Sequence, residues 1–320
     1  MGVRMAIAIA LLAMWASAAP ADEVRQLKFH HNSDGALHFV QTETVAGAQV
    51  FWSERSQVLI PHPAGTVHLS GDREFEIIER ALDAWNAAAL TCGDGIRLTL
   101  GEPEPGEVGF DRINRIVFRD ERWCAPIDCD AFCGRREDCR GGEVCHNPSA
   151  AGLTTLCYNV ESGEILDADI ELNGVSFAIS DGGLSEAGGS ELADLANTFT
   201  HEVGHFIGLD HTCWNPENGP QPSDHQGNLV PDCRATALLT PEIREATMFA
   251  TQTNGETKKA TLEQDDIDGL CRIYPADTGG CGCTAGSGNP GSAVLLVFAL
   301  VLAVLPRSRQ SACRAGRFSD

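Results

Sequence analysis

The sequence predicts an α+β protein in which helical and strand-like segments are mixed along one main domain. Apolar residues recur at three- and four-residue steps between Ser70 and Leu90, which is the period of a half-buried helix. Apolar and polar residues alternate, as they do in strands, in three segments: Ile96–Leu100, Arg115–Arg119 and Glu164–Asn173. A chain of 320 residues is long enough for one sizeable domain with appendages.

The first and last helices have recognisable ends. The apolar stripe of the first helix consists of Phe75, Ile78, Leu82, Trp85 and Ala89. Ser70 or Asp72 is expected to cap its N-terminus. The last helix is predicted over Thr261–Tyr274, where Thr261 and Gln264 match the pattern of a capping box.

The strongest functional signal is the run His201-Glu202-Val203-Gly204-His205-Phe206-Ile207-Gly208-Leu209-Asp210-His211. On a helix, His201 and His205 lie one turn apart on the same face, so both imidazoles can bind one ion. Gly208 allows the chain to leave the helix through a left-handed conformation, and His211 can then return as a third nitrogen ligand. Three imidazoles with one open position are typical of a catalytic zinc ion rather than a structural one.

Glu202 follows the first histidine, where its carboxylate can reach a water molecule at the open position and accept its proton. A bare His-Glu-x-x-His string also occurs in ordinary amphipathic helices, but Gly208 and His211 at the required offsets favour the zinc site. A more distant third ligand, Glu242 or Glu245, is less favoured because His211 is already at hand.

Cysteine usage predicts an exported, disulfide-bonded domain. Ten of the thirteen cysteines lie between Cys92 and Cys271, which allows up to five disulfides there. Only one pairing is predicted, Cys213 with Cys233, because these residues bracket a loop rich in Pro, Asn and Gly. A Cys-rich insertion at 124–157 has few large apolar residues, so cross-links are expected to hold it. A zinc module is the alternative there, although paired C-x-x-C units are missing.

The run from His201 to His211 is identified as the signature of the metzincin metallopeptidases. Thr212 directly after it resembles the matrixin branch, in which Ser or Thr is usual at this position. The segment Glu164–Asn173 and the final helix around Asp265-Asp266-Ile267 also resemble matrixin segments. The resemblance implies a metzincin-like zinc peptidase domain with a twisted, mixed five-stranded sheet, long helices, and an active-site cleft above a lower lobe that contains a methionine turn.

Two local features follow from this resemblance. Met248 is implied as the methionine of the turn beneath the zinc ion. The segment 164–173 is implied as an edge strand that pairs with an extended substrate backbone. Within it, Asp167 and Asp169 are expected either to bind a structural ion or to lie on a solvated edge.

Four regions are predicted along the chain. A signal peptide at 1–21 is indicated by Arg4, an apolar run and small residues before Asp22. The catalytic domain is expected at 22–275 and a Gly/Cys linker at 276–292. The segment 293–320 contains an apolar run too short to cross a bilayer, followed by arginines, and it resembles the MYXO-CTERM sorting tail of bacterial surface proteins. The predicted location is therefore exported, either secreted or attached to the cell envelope.

The net charge of −22 at pH 7 argues against nucleic acid and anionic lipid as partners. Membrane contact is expected only through the C-terminal tail, and the protein is expected to be a monomer. One Zn²⁺ ion is predicted as the cofactor. A Ca²⁺ site is left open, since acidic residues are abundant but no calcium-loop motif occurs.

The sequence therefore predicts an exported zinc endopeptidase that acts on a protein or peptide substrate. His201, His205 and His211 are the predicted metal ligands, and Glu202 is the predicted general base. The alternative is a surface-displayed binding or adhesion protein with a vestigial metal site, which the Cys-rich insertion and the tail favour. Hydrolysis of a non-peptide amide or ester is a third interpretation.

Overall fold

The computed structural model describes residues 39–93, 95–126, 142–182, 191–216, 219–276 and 313–319. The strands are β1 Val40–Gln41, β2 Ser56–Pro61, β3 Arg97–Leu100, β4 Asn114–Arg119, β5 Cys124–Pro126, β6 Glu143–Cys145, β7 Gly152–Asn159, β8 Ile165–Asn173, β9 Ala178–Ser180, β10 Leu192–Asp194, β11 Leu209–Asp210 and β12 Cys313–Ser319. The helices are α1 Arg73–Thr91, α2 Leu195–Phe206, α3 Pro241–Glu245 and α4 Gln264–Ile273, with a short 3-10 helix at Lys258–Ala260. The predicted signal peptide, the linker after residue 276 and the apolar run of the tail lie outside these ranges.

Five strands form a mixed sheet in the order β7-β8-β4-β2-β3, and β12 extends this sheet beyond β7 as a sixth strand. β3, β2, β4 and β8 run parallel to one another. β7 runs antiparallel to β8, and β12 runs antiparallel to β7. The α+β class and the mixed five-stranded sheet that the sequence predicts are present, with one additional strand from the C-terminal segment.

The first helix forms close to its predicted bounds. Ile78, Leu82, Trp85 and Ala89 are buried, whereas Phe75 is only partly buried against the core. The N-cap residue is Asp72, and its side chain makes no capping hydrogen bond. The helix is therefore stabilised by its apolar face rather than by the predicted side-chain cap.

The core lies between the sheet and the helices α1 and α2. Trp85 is 1% exposed, and its indole Nε1 donates to the Thr200 carbonyl at 3.0 Å, which joins α1 to α2. The sheet contributes Leu59, Ile116 and Ile170 to the same apolar cluster. Since side chains at this packing density leave little room for movement, the core holds α2 at a fixed position over the sheet.

The segment predicted as an edge strand forms β8, but β8 lies inside the sheet between β4 and β7. The prediction of a substrate-binding edge at 164–173 is therefore wrong. Eight of the nine residues of β8 are buried, which is typical of a strand covered on both faces. The chain reverses direction after Asn159 through a turn that ends at Gly163, whose φ is 78°, so β7 and β8 are adjacent. Because β4 pairs with the other side of β8, β7 takes the outer position of the five.

Asp167 and Asp169 are buried, so they do not lie on a solvated edge. Asp167 Oδ2 accepts hydrogen bonds from the amides of Asp111 and Arg112 at 2.9 and 3.1 Å. Asp169 accepts from two further amides, those of Gly109 and Arg115, both at 2.9 Å. The two carboxylates therefore hold the loop that leads into β4.

The last helix begins later than predicted. Its capping box is formed by Glu263 and Asp266, with the Glu263 amide donating to Asp266 Oδ2 at 2.8 Å. The predicted box of Thr261 and Gln264 is wrong because Thr261 belongs to the preceding turn, where its hydroxyl donates to the Lys258 carbonyl at 3.0 Å.

Three disulfides join cysteines within the described ranges: Cys92–Cys271, Cys124–Cys145 and Cys213–Cys233. The predicted pairing of Cys213 with Cys233 is confirmed. The Cys124–Cys145 bond closes the base of the predicted Cys-rich insertion, where β5 pairs with β6. Residues 127–141 of that insertion lie outside the described chain, and residues 152–157 belong to β7 of the main sheet.

The disulfides are consistent with an extracellular protein. In the part of the chain that the structure covers, the helices are too short or too polar to cross a bilayer.

Replacing Cys92 and Cys271 together with alanine should lower the free energy of unfolding by about 5 kcal/mol, because the disulfide closes a loop of 179 residues. Replacing Cys213 and Cys233 is the matched comparison and should lower it by about 3 kcal/mol, because that loop spans 20 residues. Urea denaturation followed by tryptophan fluorescence measures both losses. Equal losses would contradict the loop-length explanation.

Asp167→Asn should flatten the pH dependence of stability. Burial raises the pKa of Asp167 from 3.8 to about 6. The folded state therefore holds this proton more tightly than the unfolded state, and stability falls as the pH rises from about 4 to about 6. Chemical denaturation at a series of pH values measures this slope. The exposed Asp83→Asn is the control and should leave the slope unchanged; an unchanged slope in Asp167→Asn would disprove the assignment.

Candidate metal centre

α2 provides the first two predicted metal ligands. The helix begins at Asp194, whose side chain accepts a hydrogen bond from the Asn197 amide at 2.9 Å. His201 and His205 lie one turn apart, and both are 0% exposed. α1, β7 and the 3-10 helix pack around α2, so these imidazoles have little freedom to reorient.

The chain leaves α2 at Gly208, as the sequence predicts. The φ of Gly208 is 100°, and a Cβ at this position would lie 2.6 Å from the Val50 carbonyl oxygen, so only glycine fits. β11 then pairs antiparallel with β1. This pairing sets the direction of the chain after Gly208 and returns His211 to the side chains of α2.

The Nε2 atoms of the three histidines converge. The distances are 3.1 Å from His201 to His205, 3.2 Å from His201 to His211 and 3.0 Å from His205 to His211. In a tetrahedral site with Zn–N bonds of about 2.0–2.1 Å, two ligand nitrogens lie about 3.3 Å apart. The spacing is therefore close to that required for one ion bound by all three side chains.

Backbone carbonyls select the tautomers of two of these histidines. His201 Nδ1 donates to the Thr247 carbonyl, and His205 Nδ1 donates to the Leu209 carbonyl at 2.9 Å. A carbonyl oxygen only accepts, so each Nδ1 carries a hydrogen and each Nε2 presents a lone pair to the centre. Converging lone pairs repel one another unless a cation lies between them. The three-histidine group could therefore hold a metal ion, since one nitrogen atom of each ring lies within 4.8 Å of the other two.

Glu202 is 0% exposed and lies against β7. The hydroxyl of Thr154 bonds both to the Glu202 carboxylate and to its carbonyl oxygen, the latter at 3.1 Å. A Cβ at Gly152 would lie 2.3 Å from Glu202 Oε1, so the glycine leaves the space that the carboxylate fills. Two residues of β7 thus set the position of the predicted general base.

The segment around Met248 forms a tight turn next to the histidines, as the family resemblance implies. The Phe249 amide donates to the Ala246 carbonyl at 3.1 Å and closes the turn. Met248 is 2% exposed, and a Cβ at Gly204 would lie 2.2 Å from its sulfur atom. Met248 also accepts a hydrogen bond from the Thr212 amide at 3.0 Å, which fastens the chain next to the third histidine.

Four residues that support this centre were not singled out by the sequence analysis. Gly152 and Thr154 were assigned to the Cys-rich insertion, although a β-prone run from Leu153 onward was the available signal. Lys259 is 1% exposed, and its ammonium donates to the Phe249 carbonyl. Tyr274 is buried at the end of α4, and its hydroxyl donates to the Ile207 carbonyl at 2.8 Å.

Two acidic residues near the centre have shifted pKa values. Burial raises the pKa of Asp210, while the adjacent His211 opposes this shift. Burial also raises the pKa of Asp266, and hydrogen bonds from Thr247 oppose that shift. Asp266 therefore connects α4 to the turn that contains Met248.

In comparisons with known proteins, no family model matches the chain and no curated protein matches it. The functional interpretation therefore depends on the geometry of the site.

Gly208→Ala should weaken metal binding at least tenfold. The alanine adds strain at a positive φ, about 1–2 kcal/mol, and a clash with the Val50 carbonyl that displaces the segment ending at His211. Titration with Co²⁺, followed by visible absorption, measures the affinity. Gly47→Ala is the matched control, since φ there is 79° and no atom lies within 4 Å of the added Cβ. Equal metal affinity in the two variants would contradict this account of Gly208.

Proposed function

We propose that the protein is an exported zinc-dependent endopeptidase of the metzincin type, closest to the matrixin branch. One observation carries the proposal: three buried imidazole nitrogens converge within 3.2 Å of one another, next to a buried glutamate that β7 holds in place. Three neutral nitrogen ligands and an adjacent carboxylate are the set that hydrolytic zinc sites use.

Zinc, when bound, acts as a Lewis acid that polarises the scissile carbonyl and makes water a stronger nucleophile at neutral pH. His201, His205 and His211 would hold the ion, and the carbonyls of Thr247 and Leu209 orient two of these rings. Glu202 accepts the proton of the attacking water and delivers it to the departing amine nitrogen. The Thr154 hydroxyl keeps the carboxylate at one position during both transfers.

The substrate class is an extended peptide. β7 lies at one edge of the five-stranded sheet, and its residue Thr154 contacts Glu202. A peptide backbone that pairs with this strand would lie beside the metal centre, because strand addition aligns two backbones along a sheet edge. The substrate-binding edge is thus β7 rather than the segment 164–173.

Three disulfides support export, because such bonds persist in oxidising compartments. The predicted signal peptide at 1–21 and the sorting tail would deliver the enzyme to the cell surface or the medium. A protein substrate outside the cytoplasm is consistent with this location.

Glu202→Gln should leave metal bound and reduce peptide hydrolysis by about 100- to 10,000-fold, because glutamine cannot accept the proton. Metal content by mass spectrometry and cleavage of a quenched fluorescent peptide library measure the two properties. Glu161→Gln, an exposed glutamate, is the control and should leave both unchanged. Hydrolysis retained in Glu202→Gln would refute the assignment of the general base. Metal-loaded parent protein that hydrolyses no peptide would instead favour a surface-displayed binding protein.

A further inference from the structure

The C-terminal strand covers the edge of β7 that the proposed substrate would use. β12 pairs with β7 over seven residues, from Cys313 opposite Asn159 to Ser319 opposite Leu153. A sheet edge has one row of free backbone donors and acceptors, so β12 and a substrate cannot pair with it at the same time.

The register places β12 next to the metal centre. Phe318 pairs with Thr154, the residue whose hydroxyl contacts the Glu202 carboxylate. The backbone at Phe318 therefore lies opposite the residue that holds the proposed general base. An extended backbone at this point has the position that a bound peptide would have.

Charge also favours this strand as an occupant. The chain as a whole has a net charge of −22, whereas the segment Cys313–Ser319 contains Arg314 and Arg317 and no acidic residue. A basic segment is attracted to an acidic surface over a distance of about 10 Å at moderate salt. Because the segment belongs to the same chain, it competes with free peptides at a high effective concentration.

We propose that Cys313–Ser319 is an intramolecular pseudosubstrate that pairs with β7 and keeps other peptides from the metal centre. The proposal rests on the proposed peptidase function for its consequence, but the pairing itself is a separate property. Release of the strand, by competition or by removal of the tail, would open the same edge to substrate.

The test uses the full chain with paired substitutions in β12. Gly316→Pro with Arg317→Pro removes two consecutive amide hydrogens, and one of them faces β7 because successive residues of a strand point their amides to opposite edges. Gly316→Ala with Arg317→Ala is the matched control, because it changes the same positions and keeps the amides. A single cooperative thermal transition in each variant establishes that both are folded.

The pairing is measured by hydrogen exchange in β7. Exchange of the β7 amides that face β12, about every second amide in residues 153–159, should be at least tenfold faster in the proline variant than in the alanine variant. A fluorescent peptide with the sequence of 313–319, with serine in place of Cys313, should bind the proline variant at least tenfold more tightly. Equal exchange rates, or equal peptide affinities, would overturn the proposal whether or not the protein is an enzyme.

The inhibition is measured with the zinc-loaded protein and a quenched fluorescent peptide. Competition for one edge predicts that the proline variant has a KM at least tenfold lower than the alanine variant, with an unchanged kcat. Equal KM values in the presence of faster exchange would show that the strand pairs without inhibiting, which also overturns the proposal. If no variant cleaves peptides, the proposed function fails, and the binding measurement still decides whether β12 covers a peptide-binding edge.

Discussion

The candidate metal centre depends on hydrogen bonds from two imidazoles to backbone carbonyls. Each bond fixes both the orientation of a ring and the position of its proton, so that the opposite nitrogen presents a lone pair. The acceptor for His201 is Thr247, and the acceptor for His205 is Leu209. These carbonyls come from two different segments, and the site therefore exists only when the turn at Met248 and the strand β11 are both in place.

Packing beneath α2 holds these segments. Met248 fills the space that Gly204 leaves free, and its carbonyl accepts the Thr212 amide. Lys259 donates a hydrogen bond to the Phe249 carbonyl in the same turn. Burying an ammonium group is unfavourable unless it is hydrogen-bonded, so the lysine stabilises one conformation of the turn. The conformation of the turn around Met248 is thus determined by a few hydrogen bonds among buried apolar side chains.

The strand β7 connects the fold with the proposed chemistry. One of its residues, Thr154, contacts Glu202, and its outer edge pairs with β12. β7 is antiparallel to β8 because the two strands form a hairpin, and β4 occupies the other side of β8, which leaves β7 at the border of the five-stranded sheet. Access of a peptide to the candidate metal centre and the position of the proposed general base would therefore depend on the same eight residues.

The sequence by itself determined the class of the fold, the first helix and the set of three histidines, because these features depend on spacing along a short stretch of chain. His201, His205, Gly208 and His211 lie within eleven residues, and helical geometry relates them directly. Only the tertiary structure decided that β7 rather than β8 is the outer strand, and that Thr154 positions Glu202. These facts depend on pairing between residues about 50 positions apart, and the local sequence pattern contains no information about such pairing.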